Sequence, residues 1–148
     1  MKKSLLFRML GLIAAIGVSA ITHAETPDPA VTGMLGTSSG EAIYEQICQG
    51  CHMAEGQGAV GAGHYPAFAD NPTLLSANYM AATILNGRRN MPSFEHHAEN
   101  EFFFPPTWLT DTQIANVINY IRSHFGNHNT DTISAADIAA LHAQEPGK

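Results

Sequence analysis

Cysteine is nearly absent. The 148 residues hold two, Cys48 and Cys51. Two thiols rule out a framework of several disulfides and a four-cysteine zinc site. Basic residues are scarce as well: seven Lys and Arg stand against 13 Asp and Glu, and three of the seven (Lys2, Lys3 and Arg8) lie at the N-terminus. Past residue 24 only four remain against all 13 acids, a formal net charge of −9. A chain without clustered Lys and Arg is poorly equipped to neutralise phosphates, so nucleic acid is not an expected partner. Its surface suits partners that are positive or apolar at the contact. Long apolar runs are missing too. The uncharged stretch Met9–Ile21 falls short of the roughly 20 residues that a comfortable membrane span requires. Finally, no acid–base pair or nucleophile constellation stands out, so catalysis by this chain alone is not expected.

What is present at the N-terminus reads as an address. The basic start, the short apolar run and the exit at Thr22-His23-Ala24 describe a secretory signal peptide over residues 1–24, cleaved after about Ala24. An uncleaved short anchor is the alternative. Cleavage leaves 124 residues, a length for one domain, with no stable membrane insertion expected.

The two cysteines belong to Cys48-Gln49-Gly50-Cys51-His52. This is the pattern for covalent attachment of haem c. Two thiols add across the two vinyl groups of the porphyrin as thioethers, and the following histidine offers its imidazole to iron as the proximal ligand. Three other readings of the pair fit the sequence less well. A thioredoxin-like redox pair sits in a βαβ setting, and no strand pattern surrounds this one. A structural zinc site needs further ligands at suitable spacing. A plain disulfide leaves His52 without a reason.

Along the rest of the chain, residues 25–37 form a loose N-terminal arm rich in Pro, Gly and Thr. Ser39 is placed to cap a helix carrying Ala42, Ile43, Tyr44 and Ile47 toward Cys48, and Glu41 and Glu45 suit its N-terminal half. Glu55–Gly63 is Gly-rich and reads as a loop. It lacks the strand and the Gly-Lys of a phosphate-binding loop. Ser76 caps a helix near 77–86, with Tyr79, Met80, Thr83 and Ile84 at helical spacing, closed by Asn86-Gly87. A long irregular segment, Arg88–Trp108, follows, a length usual for functional loops. Thr110 and Gln113 form a capping box ahead of the stripe Ile114, Val117, Ile118 and Ile121. Arg122 and His124 occupy the last turn before Gly126. Residues 127–148 form a tail in which Ser134 and Asp137 cap a short helix to about Ala143.

Over residues 38–126 the chain resembles the class I bacterial cytochromes c, monohaem electron carriers. Gly40, Tyr44 and the Cys48–His52 motif carry the resemblance at one end. Val117 and Tyr120 match the partners that the first helix crosses in that family. Tyr65-Pro66 matches a site where a Pro carbonyl orients the ligating histidine. Asn86-Gly87-Arg88-Arg89-Asn90-Met91-Pro92 resembles the distal loop, in which the Met before Pro places its sulfur on iron. The resemblance implies an all-α, cytochrome c-like fold of about three to five short helices around one covalent haem c. It further implies His52 and Met91 as axial ligands, a soft thioether raising the potential. His96 and His97 compete with Met91, against the bland reading of an exposed pair. Met80 reads as core, and Met53 and Met34 are placed elsewhere. Arg88 and Arg89 are read either as partners of the haem propionates or as a solvated pair. Trp108 and Phe102–Phe104 cover the haem or form a simple cluster. The segment Glu95–Pro106 is longer than usual for the family and reads as an edge wall or a docking face. The end of the chain resembles cytochrome subunits of periplasmic alcohol and sugar dehydrogenases. The expected function is periplasmic electron transfer from a dehydrogenase donor to an oxidase or another cytochrome. A fixed subunit of a quinoprotein or flavoprotein dehydrogenase is the alternative. A gas sensor needs an open sixth position, and a thiol oxidoreductase needs free Cys48 and Cys51.

Overall fold

The structure is a computed structural model that describes residues 33–61, 63–96 and 107–142. The signal segment, His97 and Phe102–Phe104 lie outside the described residues. Among the described residues four segments are α-helical in the main, and helices dominate. The first, α1, spans 40–52 as an α stretch Gly40–Ile43, a π turn Tyr44–Cys48 and a second α stretch Gln49–His52. The Ser39 side chain caps it by accepting from the Ala42 amide. The Gly-rich segment that follows is not wholly irregular. Ala59–Val60 (β1) pairs antiparallel with His64–Tyr65 (β2), Ala59 opposite Tyr65. A 3-10 turn, Pro72–Leu75, leads into α2, Ala77–Asn86, with Ser76 as its cap. The third helix, α3 (Asp111–Ser123), starts at the expected capping box of Thr110 and Gln113. The fourth, α4, spans Ala135–His142 and opens with Ser134 and Asp137 hydrogen-bonded to each other.

The core lies where α1, α2 and α4 meet α3. The stripe Ile114, Val117, Ile118 and Ile121 is buried, as its spacing predicts. On α2 the buried face is Met80, Ala81, Ile84 and Leu85, whereas Tyr79 stands 39% exposed. It lies one position off the face that its neighbours form. From α4, Ile138 is fully buried, and Ile133 just ahead of it is nearly so. The residues after Gly126 thus contribute apolar cover to α3.

The crossing of α1 and α3 depends on one missing side chain. A Cβ at Gly40 would lie 2.2 Å from the Asn116 carbonyl oxygen and 2.9 Å from Tyr120 Cβ. No other residue permits that approach without moving a helix. Two amides of α3 secure the entry to α1: Gln113 Nε2 donates to Thr37 O and Asn116 Nδ2 to Ser38 O, each at 2.7 Å. Tyr44 packs beside Tyr120, Phe125 and Phe68, and its buried hydroxyl donates to Met53 O at 2.6 Å. The end of α1 is therefore held in place by both packing and hydrogen bonds.

Candidate metal centre

The last turn of α1 delivers Cys48, Cys51 and His52 to a cleft enclosing roughly 1020 Å³ of empty space, part of it open to solvent. Met80 and Ile84 of α2, Val117 and Ile121 of α3, and Met91 with Pro92 complete most of its apolar wall. The four residues expected to hold the cofactor therefore share one cleft.

The histidine is oriented from two sides. Its Nδ1 lies 3.2 Å from the carbonyl oxygen of Pro66, and its ring stacks on Phe68 at 4.5 Å between centroids and 20° between planes. The chain can fold back this far because Gly58 takes φ +67 and donates its amide to His52 O at 3.0 Å. A Cβ there would lie 2.2 Å from Tyr65 O and 2.7 Å from the Pro66 carbonyl carbon. With Nδ1 engaged, Nε2 is the ring nitrogen left for a metal. Burial lowers the His52 pKa below its ordinary value, and the Pro66 hydrogen bond opposes this only in part. The ring is thus kept neutral, the form that binds a metal.

The thiols differ in exposure. Cys51 is exposed, whereas burial, aided by the nearby Cys51, pushes the Cys48 thiol up to about 12. A redox-active Cys-x-x-Cys pair works through a thiolate of depressed pKa. Cys48 has the opposite character, which counts against the thiol oxidoreductase reading.

The opposite end of α2 builds the other part of the cleft. Gly87 ends the helix at φ +71, where a Cβ would lie 2.7 Å from Met91 O and Ser93 N. The chain then reverses over Arg88–Met91, the two end residues exchanging backbone hydrogen bonds of 2.9 and 3.0 Å. Arg89 supplies the positive φ of the turn, +55. Ser93 Oγ donates to Leu85 O, and the Phe94 amide to Ile84 O at 2.9 Å. Met91 is thereby presented to the cleft from a pinned turn. Met80 also lines the cleft, from the buried face of α2. Met53 and the 48% exposed Met34 do not line it, nor does His96, whose ring lies 4.5 Å from that of Trp108. Arg88 stands at the cleft and Arg89 does not.

Two thiols for the vinyl groups beside a neutral, oriented imidazole are what covalent haem c requires, and this apolar cleft adds thioether sulfur, so the residues present fit that group. A sequence model of the cytochrome c family matches residues 37–125. The chain belongs to the cytochrome c family. The cytochrome c chain accordingly carries covalently bound haem c, and its Cys-x-x-Cys-His motif fits that attachment. It is 36% identical over 112 residues to the fructose dehydrogenase cytochrome subunit of Gluconobacter japonicus, covering 72% of this chain and 22% of that protein. It is 31% identical over 125 residues to the cytochrome c subunit of the quinone alcohol dehydrogenase of Gluconacetobacter polyoxogenes, covering 78% and 26%. The gluconate 2-dehydrogenase cytochrome c subunit of Pantoea cypripedii is 29% identical over 117 residues, covering 74% and 25%. The chain thus spans about a quarter of the length of these relatives. Among the described residues no helix is long and apolar enough to cross a membrane.

Three side chains of this cytochrome c have long-range partners that their place in the sequence does not announce. Phe68 stacks on the His52 ring. Arg122, 1% exposed, ties α3 to the turn Pro72–Leu75 through the carbonyls of Leu74 and Leu75. His142 reaches Glu95 and Asp111. For Arg122 a signal existed: it lies four residues after Ile118, on the buried stripe.

Proposed function

We propose that this cytochrome c is an exported electron carrier whose single haem c is attached through Cys48 and Cys51, with iron held between His52 and Met91. The observation that carries the reading is the His52–Pro66 contact in a cleft that Met91 also lines. Bound haem c supplies the one-electron couple of its iron. The chain's residues do the rest. Pro66 and Phe68 fix the ring, and the pinned turn Arg88–Met91 presents a soft sulfur that favours ferrous iron and a raised potential. The apolar wall keeps water away, which favours the less charged, reduced state. His52 and Met91 would together hold the iron, and the group so held would supply electron exchange and no substrate chemistry. Residues 1–24 serve as the export leader, 38–126 form the haem domain, and the mature protein works in the periplasm. It shuttles electrons from a dehydrogenase to an oxidase or another cytochrome.

A second reading, a fixed subunit of a quinoprotein or flavoprotein dehydrogenase, is favoured by the relatives, which are subunits of fructose, alcohol and gluconate dehydrogenases. Size exclusion of the native protein separates the two: a lone small cytochrome supports the carrier, coelution with a dehydrogenase the subunit. For the haem itself, the wild-type chain is expected to keep its colour through denaturation and acid extraction, and Cys51→Ala to lose much of it. Haem that extracts cleanly from the wild type refutes the attachment.

A further inference from the structure

The last helix reaches back to the segment that presents Met91. His142, at the end of α4, lies with Nδ1 2.9 Å from Glu95 Oε1 and Nε2 3.0 Å from Asp111 Oδ1. One imidazole therefore joins α4, the first turn of α3 and a residue only four places beyond Met91. Both α4 and His142 lie outside the family match, which ends at residue 125. We propose that His142 is a positioning residue that holds the distal segment shut, so that the chain beyond the family match governs how firmly Met91 is kept at the cleft. The proposal rests on the reading of Met91 as the distal ligand.

The path from the brace to Met91 is short and bonded. Glu95 donates its amide to Ser93 Oγ at 3.2 Å, and Ser93 Oγ donates in turn to Leu85 O. Phe94 is bound on both sides, its amide to Ile84 O and its carbonyl to the Leu109 amide at 3.0 Å. Removing the His142 contact loosens the end of this ladder, from which the turn Arg88–Met91 is reached through Pro92 and Ser93.

The brace is built for a charged ring. A neutral imidazole has one N–H, so one of the two carboxylates would face a lone pair, whereas the imidazolium donates to both. Burial of the ring works against the charge, but the hydrogen bonds to Asp111 and Glu95, and their charges, outweigh it and raise the His142 pKa above its ordinary value. The position in the last turn of α4 adds in the same direction. The Glu95 side chain is only 12% exposed, so water reaches this carboxylate poorly. His96 shares this recess, beside Trp108, and α2 brings no charged side chain to it. Arg88 and Arg89 are not among the residues that line it. Because the folded pKa is raised, the brace is complete below the ordinary histidine value of about 6.5 and is lost as pH rises through the folded value.

Cyanide entry into the oxidised holoprotein reads this directly, because the distal ligand must leave first. In the wild type the entry rate should climb several-fold as pH rises through that window. His142→Gln should be about tenfold faster on the acid side and flat across the window. Glu95→Gln should fall between the two and lower the pKa of the His142 ring measured by NMR. His128→Gln, an exposed tail substitution, should match the wild type. A wild-type rate and pH profile in His142→Gln overturns the brace and leaves the ligand reading standing. An iron–sulfur charge-transfer band that survives in Met91→Ala overturns the ligand reading, and the brace's hold on it too.

Discussion

Arg122 offers the sharpest test of how the cleft is held. Its side chain is 1% exposed, and three carbonyl oxygens accept from it: Leu74 at 2.8 Å, Asp131 at 2.9 Å and Leu75 at 3.3 Å. Nη2 also meets both carboxylate oxygens of Asp131, at 2.9 and 2.8 Å. Replacing it by Met keeps much of the apolar stem and removes every donor. The Leu74 carbonyl is left buried and unpaired, which costs about 1–3 kcal/mol. Leu75 is 70% exposed and the Asp131 side chain 72% exposed, so water can serve these acceptors and the full buried-pair penalty does not apply. This loss of about 1–3 kcal/mol is a large share of the 5–15 kcal/mol that usually separates folded from unfolded chains. Leu74 lines the haem cleft, so the loss should reach the site. Denaturant unfolding of the holoprotein, followed by both haem absorbance and circular dichroism, measures it. Asp131→Asn, which keeps an acceptor, should cost less. It should also remove an acid-dependent part of the stability. Hydrogen bonding to Arg122 lowers the Asp131 pKa, so its contribution is present above the ordinary carboxylate value and fades as pH falls through the lowered one. If Arg122→Met unfolds at the wild-type midpoint, the hydrogen bonds it makes are not what secures the turn Pro72–Leu75.

Two further outcomes are expected. Met91→Ala should abolish the iron–sulfur charge-transfer band of the oxidised protein and lower the reduction potential; a surviving band would shift attention to Met80, the other thioether at the cleft. Gly40→Ala should force α1 away from the Asn116 carbonyl, at a cost of about 1–3 kcal/mol. An unchanged melting temperature would mean that the crossing is looser than its 2.2 Å clearance indicates.

Much of this architecture was legible because it is encoded locally. A cap and an apolar stripe lie within a dozen residues of each other, so Ser39, Ser76, the Thr110–Gln113 box and the stripe to Ile121 announce their helices. The attachment motif is legible for the same reason. What escaped is what joins distant segments. Arg122 reads as a last-turn cation suited to the helix dipole, and nothing local says that Leu74, 48 residues earlier, supplies its partner. His142 reads as a tail residue, because its partners are 47 and 31 residues away. Phe68 carries no mark of stacking on His52 until Gly58 folds the chain back. The short β1–β2 pairing was hidden among glycines, and the π turn has no compositional signature at all.

That π turn has a consequence for length. Tyr44–Cys48 holds one residue more than an α-helical turn would, while Gly40–Ile43 before it and Gln49–His52 after it are ordinary α-helix. The helix therefore stores one residue of slack between the glycine that touches α3 and the thiols of the attachment motif. Losing a residue there would return the stretch to uniform α-helix without turning one end against the other. The count between contact and motif can thus drift by one in evolution while the haem stays where it is. A count that never drifts would mean that the widened turn is itself under selection.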